Sequence, residues 1–189
     1  MSEQKYEALC EHSSSMEQIA SNAERASITT LVELVIVVAI LAILVGLLAP
    51  QYTKYVERSR KAADASNLDS MVTAVKVATA DQAYSELIPA SADVNVVITM
   101  TKDGTTITYG GTNLASVPEN AGNKNAAEAL KSALVEYAGN EWQKTTLKSN
   151  AWDKVGSTPT ITATCVIAPS GSVTVTYTPD DVKNKLKES

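Results

Sequence analysis

Three patterns of apolar and polar positions divide this chain. Over residues 31–49 nearly every position is apolar on all sides of a helix, with Glu33 the one carboxylate, near the start. A helix apolar all round sits in lipid or is buried by other helices. Residues 34–49 approach the length that crosses a bilayer, and reach it if Leu31 and Val32 are counted. The competing reading, a core helix of a soluble domain, rarely goes so long without a polar residue. After Pro50 the pattern changes. Leu68, Met71, Val72 and Val75 recur at three and four, with Ala78 following, while Lys61, Asp64, Asn67 and Lys76 fall off that stripe. This predicts an amphipathic helix covering a small globular domain. Unbroken over 31–82, such a helix is roughly 75 Å long, and half of it has no fold of its own to pack on.

Beyond Leu87-Ile88-Pro89 the period falls to two. Residues 94–100 read as a strand, Lys102-Asp103-Gly104 as a turn and 105–109 as the returning strand. Gly110-Gly111 and 118–125 read as loop. Asn125 is the expected cap of a helix over 126–137, with Leu130, Leu134 and Tyr137 inward and Gly139 as its stop. Trp142 and Trp152 flank a lysine-bearing loop. Residues 161–167 and 172–177 form a second hairpin, turned by Pro169-Ser170-Gly171. Thr178 as cap, Pro179 at the first position and Asp180-Asp181 in the first turn start a short terminal helix. The fold class expected is α+β: a long N-terminal α-helix packed on a small antiparallel β-sheet domain.

Gly46 and Pro50 stand four apart. Proline lacks an amide hydrogen, and its ring crowds the carbonyl four residues back, here that of Gly46, itself a poor helix former. A helix kink or local unwinding is expected between them. Residues 1–27 are polar and serine-rich, with Glu3, Glu7, Glu11, Glu17 and Glu24 against Lys5 and Arg25. They are not a secretory signal, having no basic start followed by an apolar core. Leu9, Met16 and Ile19 mark at most a weak amphipathic helix, and disorder is the expectation.

Leu31-Val32-Glu33-Leu34-Val35-Ile36-Val37-Val38-Ala39-Ile40-Leu41-Ala42-Ile43-Leu44 resembles the class III signal and N-terminal helix of type IV pilins and pseudopilins. Pro50, Tyr52 and Tyr55 fall where that family has its helix-kinking proline and two following tyrosines. The resemblance covers about residues 31–60. It implies a leader or polar extension over 1–28, a transmembrane and assembly helix over 29–50, and an amphipathic helix with a globular head over 51–189. It implies cleavage by a prepilin peptidase between Ile28 and Thr29, with methylation of the new amine, and pairing of Glu33 with that amine on a neighbour. Here Ile28 occupies the family's glycine position and Thr29 its phenylalanine position, and the chain has no Phe.

The resemblance further implies a structural subunit of a type IV pilus, a fimbrium that can serve cell adhesion. Its partners would be identical subunits, membrane lipid before assembly, and the peptidase, membrane platform protein and assembly ATPase. It would sit in the bacterial cell membrane first and in an extracellular pilus filament afterwards. Two alternatives stay open. One is a pseudopilin or minor pilin of a type II secretion or competence system. The other is an unprocessed single-pass membrane protein presenting a binding domain.

Charge and chemistry narrow this little. A net charge of -5 argues against nucleic acid as the partner of the head domain. Lys54, Arg58, Arg60 and Lys61 outnumber Glu57 and Asp64 after the apolar run. Local charge alone would place that side in the cytoplasm, although long domains translocate largely regardless of charge. The four basic residues read as a collar facing solvent or headgroups, or pairing with acids of an adjacent subunit. Tyr52 and Tyr55 read as interface anchors. Cys10 and Cys165 flank the apolar run, so a membrane would separate them. His12, the one histidine, lies in the leader, which leaves the head without a His-based triad or metal cluster. Cys165 reads as a buried structural thiol. Gly110-Gly111 is a turn and not a phosphate loop. Asp180-Asp181 fit a helix start better than a calcium site. No catalytic, cofactor-binding or metal-ligating residue is expected, and the chain is read as no enzyme.

Overall fold

The computed structural model describes residues 3–188, excluding the side chains of 3–12, 23–29 and 188. Helix α1 spans Glu3–Ala80. No glycine or proline precedes Gly46, and Ala, Leu and Glu are frequent before it. With good helix formers and no breaker, a helix once nucleated propagates. The disorder expected for 1–27 is thereby corrected for 3–27, whose backbone is helical. Helical backbone also runs through Gly46 and Pro50, so the local unwinding expected between them does not occur. Pro50 withdraws one amide and leaves the rest of the ladder, and Thr53 Oγ1 donates to Pro50 O at 3.0 Å.

The chain divides into two compact units, Met1–Lys54 and Tyr55–Ser189. The second is α+β. Its main sheet has the order β3-β2-β1-β6-β7, every neighbour antiparallel. The strands are β1 Val94–Met100, β2 Thr105–Tyr109, β3 Thr112–Asn113, β6 Ile161–Ile167 and β7 Val173–Thr178. A separate ribbon pairs β4 Lys154–Val155 with β5 Thr158–Pro159. The bounds of β1, β2 and β6 are those read from the period-two pattern. The centre of the sheet joins distant segments: β1 pairs β6 from Val94↔Ile167 to Met100↔Ile161.

One face of that sheet makes the core. Val96, Ile98 and Met100 of β1 and Ile161, Ala163, Cys165 and Ile167 of β6 are buried with Leu68, Met71, Val72, Val75 and Ala78 of α1. Each large apolar side chain so buried contributes about 1.5–3 kcal/mol. Helix α2, Lys124–Ala138, adds Ala126, Ala127, Leu130, Ala133 and Leu134, and ends at Gly139 with φ 93°.

Three local expectations are corrected. The cap of α2 is Asn123 and not Asn125, and its side chain does not cap. Its amide donates to Tyr109 O at 2.6 Å and its carbonyl accepts from Thr112 Oγ1 at 2.7 Å, tying the helix start to the sheet. Tyr137 is exposed, its hydroxyl donating to Asp81 at 2.7 Å and its ring edge-on to Tyr84. Thr178 is the last residue of β7, paired with Thr162, and α3 begins only at Asp180, spanning Asp180–Glu188. Strand pairing takes the backbone that a cap would have used.

Candidate functional site

Unit 1 contains the apolar run as an exposed helix surface. Its large apolar side chains between Leu31 and Leu48 are each 50–68% exposed. The helix from Thr30 onward is long and apolar enough to cross a membrane, and none of its most apolar stretch is buried within the chain. Leu31, Val32, Val35 and Ile36, the sequence neighbours of Glu33, line a shallow apolar hollow. Apart from its own helix backbone and chain neighbours, no described atom lies within 4 Å of where a Cβ on Gly46 would be. Ala39, Ala42, Gly46 and Ala49 recur at three and four, so they share one helix face. Small residues on one face let a second helix approach closely. Sequence reasoning missed this row, although its spacing was there to be read. Ile28 and Thr29 lie within α1. Their side chains, like those of Cys10 and His12, are outside the described residues.

Unit 2 holds a polar cluster that the helical period did not reveal. Asp64, expected off the apolar stripe, is fully buried. Its carboxylate accepts from Lys148 N at 2.7 Å, Ser149 N at 2.9 Å and Trp152 Nε1 at 2.9 Å. Two turns earlier, Glu57 accepts from the Ser149 hydroxyl and from Asn150 N and Ala151 N. The Ser149 hydroxyl, helped by those two amides and by Arg60 at 3.6 Å, holds the Glu57 carboxyl below its ordinary pKa against the opposing effect of burial. Two carboxylates of α1 thus bind consecutive amides of the 147–152 loop.

Lys61 belongs to this cluster and departs from the expected collar. Its ammonium lies 4.5 Å from the Trp152 ring centroid and 2.8 Å from Asp181. Lys54, Arg58 and Arg60 are exposed, as are Tyr52 and Tyr55. Asp180 and Asp181 occupy the first turn of α3. Among the described residues no group of His, Cys, Asp or Glu is placed to hold a metal ion. Cys165 is buried, and burial pushes its thiol up to about 11. The cluster is built to fasten a loop. Among the described residues no buried side-chain nitrogen or oxygen lacks a hydrogen-bond partner. No family model, no curated protein and no solved structure matches the chain.

Proposed function

We propose that this chain is a structural subunit of a filament, resembling a type IV pilin. The observation that carries the reading is the exposed helix of unit 1, whose apolar side chains are covered by no other described residue. Before assembly that helix sits in the bacterial cell membrane. On assembly it moves into a bundle of identical helices of an extracellular pilus filament, where large apolar side chains and the small face at Ala42 and Gly46 pack against neighbours. Glu33 is the one ionisable group between Thr30 and Gln51. A carboxylate costs up to about 3 kcal/mol at the centre of a membrane helix and less near its end. Pairing with a cation of a neighbouring copy recovers that cost and sets axial register. The peptidase, membrane platform protein and assembly ATPase are the machinery this reading brings with it.

The test is Glu33→Gln in the native host. The variant is expected to insert in membranes and to form no fibres. Normal fibres from it refute the register role. A pseudopilin or minor pilin differs by making a short stub and no long surface filament.

Ile28 and Thr29, in place of a glycine and a phenylalanine, favour a second reading: an unprocessed single-pass anchor for the head. N-terminal sequencing of native material separates the two. A start at Thr29, methylated, supports the filament subunit, and an intact leader supports the anchor.

A further inference from the structure

The outer face of the sheet in unit 2 carries threonines in ordered rows. Thr106, Thr99, Thr162 and Thr178 stand directly opposite one another across β2, β1, β6 and β7. Thr108, Val97, Thr164 and Thr176 form the next row, and Asn95, Val166 and Thr174 a third. Each alternates along its strand with a residue of the core side, so all share the other face. None of these eight threonine hydroxyls has a hydrogen-bond partner among the described residues. By contrast, Thr53, Thr79, Thr101, Thr105, Thr112 and Thr160 all donate to a protein acceptor.

Strand preference and threonine cross-strand pairs account for the residue type. They do not account for the missing charge. The chain has 16 Lys and Arg and 21 Asp and Glu. None occupies a position in these rows, although the wet face of an antiparallel sheet readily carries them. Charge complementarity therefore selects an uncharged partner. No aromatic ring stands in the rows either, which removes the stacking platform that a sugar polymer would use. What the face offers is a hydroxyl and a methyl at repeats of about 4.8 Å across strands and about 6.7 Å along them. Ice presents uncharged oxygens in a fixed two-dimensional repeat of comparable size. Water ordered between the methyls and bonded to the hydroxyls continues such a lattice. Adjacent strands rotate by about 20–25°, so the flattest patch is a single strand pair. On β6 and β7, Thr162, Thr164, Thr174, Thr176 and Thr178 fill all but one position of a two-by-three grid, Val166 being the other.

We propose that this threonine face binds ice, centred on the β6–β7 grid. The inference does not depend on the filament reading. The full chain in fluorescent lipid nanodiscs is presented to a slowly growing ice front, beside empty nanodiscs and beside Thr164→Lys/Thr176→Glu. That double variant places opposite charges across from each other, a pair that preserves the strands while breaking the uncharged lattice. Near-unchanged near-UV circular dichroism checks its fold. The expected result is wild-type chain taken into ice and shaping its facets, with the double variant excluded to the level of empty discs. Exclusion of the wild type, or equal uptake of both, overturns the proposal. Wild-type sedimentation with an insoluble neutral glucan, lost in the variant and without ice uptake, also overturns it and assigns the face to polysaccharide.

Discussion

Unit 1 and unit 2 solve the problem of apolar surface in opposite ways. Unit 2 folds its apolar positions inward at intervals of two and three to four, and closes them between a sheet and residues of α1, α2 and α3. Even Asp64, a fully buried carboxylate, is met by three donors. Over residues 31–49 unit 1 has apolar residues at every interval, so no rotation of its helix hides them, and no described residue covers them. The first arrangement is finished within one chain. The second needs lipid or other helices.

The contrast can be broken from either side. The largest effect is expected at Asp64. Asp64→Ala orphans the Ser149 amide and the Trp152 indole in the interior and the Lys148 amide beside them, at about 1–3 kcal/mol each. Denaturant unfolding followed by Trp fluorescence should show a loss of about 3 kcal/mol or more, with membrane insertion unchanged. Leu41→Lys is the converse. A lysine at the middle of the apolar run should cost insertion about 2.5–3.5 kcal/mol, read by membrane partition, and leave the unfolding midpoint of unit 2 where it was.

A finer test is pH. Because Glu57 is held below its ordinary value when folded, the unfolded chain takes up its proton more readily. Its contribution is fully present above the ordinary carboxylate range and is lost as pH falls through the lowered folded value. The stability of wild type should therefore fall towards that of Glu57→Gln in acid, and the two should differ most near neutrality. The smallest perturbation is chemical. In a Cys10→Ser background, Cys165 should resist a thiol reagent at pH 7 while unit 2 is folded and react at once in denaturant, since burial holds it protonated to about 11.

Much of unit 2 was legible because its strands are short and alternate. Val94–Met100 and Thr105–Tyr109 lie where period and turn residues put them. Asp64 was misread because helical spacing reports where a side chain points along its own helix. It does not report that a loop 84 residues later brings Lys148 N to meet it. Lys61 was misread for the same reason, Trp152 and Asp181 being far away in sequence. Asn125 directly precedes the helix expected from the sequence, and the local pattern points to it as cap. Asn123 took that place because its side chain serves Tyr109 and Thr112 of the sheet. Residues 3–27 are helical despite their polarity, because no glycine or proline interrupts them.

The sequence by itself determined the two kinds of apolar pattern, the period of each strand and the uncharged run around Glu33. These depend on residues within a few positions of one another, and local geometry reads them directly. Only the tertiary structure decided the fastening of the 147–152 loop by Glu57 and Asp64. It alone brought the threonines of β1, β2, β6 and β7 into shared rows. Those features pair residues far apart in the chain, and their register is set by how the core closes, a choice no local stretch encodes.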